Sequence, residues 1–120
     1  MGLPAAARFA DTARRLGAAA RAAGLAAPAF RSPPRVDAPR TIRRFPDGVV
    51  VSVRLRERSF DAVAGDMVEG VLVANRLGSA DAGRIRGELR AAAGLAATDA
   101  PVVGLPSPEA RVAERQTQAA

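Results

Sequence analysis

The feature that most constrains this chain is a turn, Phe45-Pro46-Asp47-Gly48, set between two runs of alternating polarity. Proline presets φ at the second position of a type I turn and aspartate suits the third. A glycine at the fourth can take the left-handed conformation of a hairpin bulge. One strand is therefore expected to end near Phe45 and another to begin at Val49. Val49, Val51, Val53 and Leu55 alternate with Val50, Ser52, Arg54 and Arg56, the period of a half-buried strand. Setting Phe45 beside Val49 places Thr41, Arg43 and Phe45 on the valine face. Arg40, Ile42 and Arg44 then join Ser52, Arg54 and Arg56 on the other. The expected ribbon has one apolar wall and one arginine wall.

Ser59 follows as an N-cap, with Asp61 in the first turn to complement the helix dipole. Val63, Ala64, Met67, Val68, Val71, Leu72 and Ala74 recur at helical spacing, while Asp61, Asp66, Glu69 and Arg76 fall on the opposite side. Gly78 is placed as the glycine after this helix, and Ser79 as the cap of a second one carrying Ile85 and Leu89. The expected fold is α+β: a β-hairpin of about residues 40–56 packed by two following helices, near 60–77 and 80–93. Gly65 and Gly70 each cost about 1 kcal/mol against alanine inside a helix. Either another backbone approaches there, as a helix of a second subunit would, or the helix is imperfect. Asn75 reads as a cap-region residue before it reads as a polar interface contact.

The flanks are less regular. Residues 1–25 hold an N-terminal helix over about 5–24, with a thin apolar stripe of Phe9, Ala13, Leu16 and Ala20 among Arg8, Arg14, Arg15 and Arg21. That stripe is slight for a membrane-surface or nucleic-acid helix, so a satellite packed on the ribbon is expected, ending at Gly24. Residues 26–39 form a proline-rich linker, with Phe30 as an anchor. Residues 40–94 make the core. Residues 95–120 read as a loose tail, in which Ser107-Pro108-Glu109 could start a transient helix.

Composition narrows the chemistry. All eighteen basic residues are arginine, and His, Cys, Lys, Tyr and Trp are absent. With abundant Ala, Gly and Pro this matches the codon bias of a GC-rich genome, which explains the number of arginines but not their placement. Residues 31–60 hold eight arginines against three carboxylates, whereas residues 61–77 hold three carboxylates against one arginine. Clustered positive charge is the footprint of an anionic partner. Without imidazole, thiol or amine, neither an enzyme nor a cofactor is expected, and no phosphate loop or nucleophile elbow occurs. Asp61, Asp66 and Glu69 have the spacing to meet a hard cation, but an acidic face paired with arginines fits this chain better, and no metal is expected. Half of the 48% hydrophobic content is alanine, so a core short of large side chains points to marginal stability or to an oligomer such as a homodimer. No apolar run approaches the roughly 18 residues of a membrane span. The lack of cysteine and of a signal-peptide pattern makes a cytoplasmic setting the expectation.

The segment from Val50 to Gly94 resembles, in outline, a ribbon–helix–helix DNA-binding domain: an alternating strand, a helix, a glycine turn, and a second helix opened by serine. The resemblance implies a strand that pairs with its copy in a second chain and enters the major groove. Ser52, Arg54 and Arg56 would then face the bases, and the Gly78-Ser79 turn would meet phosphate. Two readings therefore stay open for the face made by Arg40, Arg44, Ser52, Arg54 and Arg56. One is an interaction module for an acidic protein surface. The other is a nucleic-acid-associated protein using the same arginines.

Overall fold

The structure, a computed structural model, describes residues 5–96 and is α+β. The elements run α1 (Ala5–Ala22), β1 (Ala29–Arg31), β2 (Arg40–Phe45), β3 (Gly48–Val53), α2 (Phe60–Ala74) and α3 (Ser79–Ala92). The tail expected over 95–120, with its Ser107 helix start, lies outside the described residues except for Leu95 and Ala96.

The hairpin is two strands of a three-stranded sheet in the order β1-β3-β2. β1 sits inside the segment expected to be a plain linker, and it runs parallel to β3 with Phe30 opposite Val51. Pro28 before it and Pro33 after it confine it to a short edge strand, where a missing N–H is tolerated. Three residues carry too little alternation to announce a strand. Phe30 is half-buried against the core, as an anchor should be.

The hairpin register differs from expectation by one residue. Only Pro46 and Asp47 form the turn, and Phe45 pairs with Gly48 rather than Val49. Gly48 has φ +153°, a conformation that L side chains rarely adopt, so it closes the tighter turn. A slip of one residue turns every side chain of a strand over. Arg40, Ile42 and Arg44 therefore share a face with Val49, Val51 and Val53, and Thr41, Arg43 and Phe45 share the other with Val50 and Ser52.

α2 is the hub. Its N-cap Ser59 accepts a hydrogen bond from the Ala62 N–H at 3.2 Å. It packs on β2 and β3 with one side and on α1 and α3 with others. Val63, Ala64, Met67, Val68 and Val71 are essentially inaccessible. The core around it takes Val51 and Val53 from the sheet, Phe9, Leu16 and Ala20 from α1, and Ile85 and Leu89 from α3. α1 thus docks on helices rather than on the ribbon, and α3 covers α2 and α1 rather than the hairpin. Arg8 of α1 also stacks on the Phe60 ring, 3.9 Å from its centroid.

The glycines of α2 have different roles. A Cβ at Gly70 would meet Val51 Cγ1 at 2.6 Å, so the close approach is to this chain's own sheet and not to a second subunit. A Cβ at Gly65 would find only Arg90 Nη1 at 3.9 Å.

The three helices of the described residues end alike. Leu25, Leu77 and Leu95 donate their N–H groups back to Ala20, Leu72 and Arg90 across a left-handed residue, the Schellman arrangement. Gly24 and Gly94 supply that residue for α1 and α3, but Arg76 supplies it for α2 at φ +53°. The expected role of Gly78 after α2 therefore falls to Arg76, and Gly78 itself is the N-cap of α3 in place of Ser79. Asn75 is the C-cap of α2. Its side-chain amide exchanges two 2.9 Å hydrogen bonds with the backbone of Ala26, tying the segment after α1 to the end of α2.

Candidate functional site

The two faces of the sheet use arginine differently. On the side under α2, Arg40 Nη1 donates to Asp66 Oδ1 at 3.1 Å. Arg44 donates to the Ala74 and Val73 carbonyls, both at 3.1 Å, in the last turn of α2, at the negative end of its dipole. The Val73 carbonyl also takes the Arg76 N–H at 3.1 Å. Arg40 and Arg44 are thus parted from Ser52, Arg54 and Arg56, with which the expected ribbon grouped them. The slip in register is the reason.

Arg58, which the sequence did not single out, explains how the end of β3 is held. Its Nη1 donates to the Arg54 carbonyl at 3.0 Å and the Pro39 carbonyl at 3.4 Å. Its Nη2 donates to the Ala62 carbonyl at 3.3 Å and to Asp66, whose other oxygen takes Arg40. One carboxylate therefore joins two arginines, and one guanidinium ties the loop before β2, the end of β3 and the start of α2. Nothing in the alternation of strand residues marks Arg58; its position just before the Ser59 cap is the only clue.

The acidic face of α2 is used in the same way. Glu69 receives Arg86 through two bonds, from Nε at 2.6 Å and from Nη2 at 3.0 Å. The hydrogen bond and, less strongly, the charge of Glu69 raise the pKa of Arg86, with burial opposing them. Asp66 and Glu69 are thus committed to separate arginines. Among the described residues, no group of three or more His, Cys, Asp or Glu could hold a metal ion.

On the other side, no described element covers the sheet. Ala29, Arg31, Thr41, Arg43 and Phe45 are exposed, and Val50, Ser52 and Arg54 are half-buried. Directly paired residues lie on one face, so Arg31, Ser52 and Thr41 form one row and Ala29, Val50 and Arg43 the next. The strand residues on this face include no carboxylate.

Beyond Ser52 the face runs into a cleft. Residues 32–39 cross the end of β3, held by the Arg54 N–H on the Pro39 carbonyl at 3.1 Å and by Arg54 Nη1 on the Asp37 carbonyl at 3.2 Å. The resulting cleft has a volume of about 390 Å³; Arg35, Arg54 and Arg56 face it, with Asp37, Glu57 and Val36 between them. Glu57 takes φ +59°, which turns the chain sharply after Arg56 at a cost of about 1 kcal/mol for a residue with a Cβ.

Arg31, Arg35, Arg43, Arg54 and Arg56 make no ion pair among the described residues, unlike Arg40, Arg58 and Arg86. Ser52, Arg54 and Arg56 of the sequence-derived set stay together, and Arg31, Arg35 and Arg43 join them in place of Arg40 and Arg44. β3 has β1 on one edge and β2 on the other, so both of its backbone edges are engaged within the chain. No helix among the described residues is long and apolar enough to cross a membrane.

Compared with protein-family models, with curated proteins and with solved structures, the chain matches none.

Proposed function

We propose that this chain is a non-enzymatic interaction module that binds an acidic protein surface with the uncovered side of its sheet and the adjoining cleft. The observation that carries this reading is the set of five arginines there without carboxylate partners among the described residues, Arg31, Arg35, Arg43, Arg54 and Arg56. Each guanidinium offers a planar fork suited to a carboxylate pair. Asp37 and Glu57, set among them in the cleft, favour a partner of mixed charge over a continuous phosphate backbone. A second copy fits poorly. Two such faces packed together would oppose like charges, and Asp66 and Glu69 are already paired within the chain.

One observation favours nucleic acid as a second reading. Phe45 is 49% exposed beside Arg43 and offers a base a stacking surface. A single aromatic falls short of the two or three that sheet-based readers of single strands use.

The test compares a labelled Asp/Glu-rich peptide with labelled single- and double-stranded oligonucleotides, across a salt series, for wild type and the Arg54→Ser/Arg56→Ser variant. Tighter binding of the peptide, lost in the variant, supports the proposal. Tighter binding of an oligonucleotide, with a salt slope of about −0.9 per neutralised phosphate on the duplex, would transfer the face to nucleic acid. Equal binding by wild type and variant would sink both.

A further inference from the structure

A separate surface lies at the other side of the sheet. β2 is an edge strand, and the direction of its free backbone groups follows from one bond. The Arg54 N–H donates to the Pro39 carbonyl, so residues 39 and 54 form a hydrogen-bonded pair. Such pairs alternate along an antiparallel ladder, and the register carries the pattern to 41/52, 43/50 and 45/48. The N–H and C=O groups of Arg40, Ile42 and Arg44 therefore point away from β3, at the open edge.

Beside that edge runs a groove of about 420 Å³ between β2, α2 and the start of α3, with Leu72, Val73, Leu77 and Ala82 among its lining. Arg44 and Arg76 also line it. The two large apolar side chains left exposed among the described residues, Phe45 at 49% and Val73 at 44%, lie on either side of the same end of β2. Phe45 is on the uncovered face, and Val73 is in the groove, where its carbonyl accepts from Arg44. Successive side chains of a strand point to opposite faces. A strand laid along β2 would thus set one side chain into the groove over Val73 and the next beside Phe45.

We propose that the open edge of β2 accepts an extended, acidic segment of another protein as a fourth strand, with alternate apolar side chains seated in the groove. Backbone hydrogen bonds supply affinity in such strand addition, and the flanking pocket supplies selectivity. Charge selects the occupant. Arg43 and Arg76 have no carboxylate partner among the described residues, and Glu69 in the groove is already neutralised by Arg86. A second copy pairing β2 with β2 would bring Arg40, Arg43 and Arg44 of both chains together, the kind of charged edge that discourages self-pairing. An acidic strand meets no such repulsion. This surface shares Arg43 with the uncovered face but none of the cleft residues Arg35, Arg54 and Arg56, so variants of the cleft and of Val73 and Arg76 test the two proposals separately.

The probe is a capped, labelled peptide of about ten residues alternating valine with glutamate, beside the same peptide N-methylated at alternate backbone amides and a valine–lysine version. Binding is read by fluorescence anisotropy, and the contacted residues by amide shifts of the ¹⁵N-labelled protein. The expected result is binding of the glutamate peptide alone, with the Ile42 and Arg44 amides moving most. Val73→Glu and Arg76→Glu each weaken it at least about tenfold, while in Arg54→Ser/Arg56→Ser the Ile42 and Arg44 amides still move on adding the peptide. Equal binding of the N-methylated peptide, indifference to Val73→Glu, or no binding of any peptide overturns the proposal. Loss of binding in the Arg54→Ser/Arg56→Ser variant alone would assign the peptide to the cleft. A dimer that Val73→Glu dissociates would assign the groove to a second copy, and would equally overturn it.

Discussion

The covered and uncovered faces of the sheet are built from the same few residue types, yet only one of them is chemically closed. Under α2, Arg40 meets Asp66 and Arg44 meets the carbonyls that end the helix. On the other face Arg31 and Arg43 stand exposed without a carboxylate among the described residues. Arg43 and Arg44 are adjacent in sequence, so residue type does not separate a matched arginine from an unmatched one. The pleat does. Arg40, half-buried beneath the helix, has to be matched within the chain, because an unmatched charge there loses solvation. Arg44 stays exposed but is turned to the acceptors at the helix end. An arginine facing water keeps its hydration and needs no match.

The largest test of this contrast is Asp66. Its side chain is 19% exposed and serves Arg40 and Arg58, the latter only 11% exposed. Asp66→Asn keeps the shape and removes the charge, leaving both guanidinium groups unmatched. The expected loss is about 3 kcal/mol, the low end for breaking a buried pair, read as a lower urea midpoint. Asp37→Asn, at the exposed cleft, should stay within about 0.5 kcal/mol. Equal effects would mean that the covered face is not held by its ion pairs.

Gly70 tests the packing of the same face. A methyl group there meets Val51 at 2.6 Å, and Val51 is fully buried with a stiff, β-branched side chain. Gly70→Ala is expected to destabilise by about 1–2 kcal/mol, overpacking outweighing the gain in helix propensity. Gly65→Ala meets nothing closer than 3.9 Å and should stabilise by up to about 1 kcal/mol. Thermal melts of the two variants should therefore move in opposite directions. A stabilising Gly70→Ala would show that α2 can lift from the sheet without loss.

Much of this fold was legible in the sequence because local signals agreed. Ser59 capped α2 as expected, the valine alternation of β3 faced the core, and Gly24 ended α1. What escaped depended on contacts between distant segments. β1 is a strand only because β3 lies beside it. Gly70 is required by Val51, nineteen residues earlier in the chain. Arg76 takes the left-handed position that Gly78 was expected to serve, since α2 ends where Asn75 finds Ala26. The site was half legible for the same reason. Ser52, Arg54 and Arg56 follow from β3's own alternation, but the face of every β2 residue depends on whether the turn holds two residues or three. Pro46 and Gly48 suit the longer turn by their local preferences, and the pairing of Phe45 with Gly48 decides for the shorter.

That single residue of register can be tested with two neighbouring substitutions. Arg44→Ser removes both bonds to the end of α2 and the positive charge that faces its dipole. The expected cost is about 1 kcal/mol, a modest value because the contact is solvent-exposed. Arg43→Ser removes a side chain that touches no partner within the described residues, so stability should change by less than about 0.5 kcal/mol. Binding of an acidic peptide to the uncovered face should respond in the reverse order, weakening with Arg43→Ser and hardly changing with Arg44→Ser. A three-residue turn would exchange the two results, placing Arg43 under the helix and Arg44 with Ser52. Urea denaturation and peptide titration of this pair thus report the register directly, because they show which of the two neighbouring arginines the fold matches within the chain.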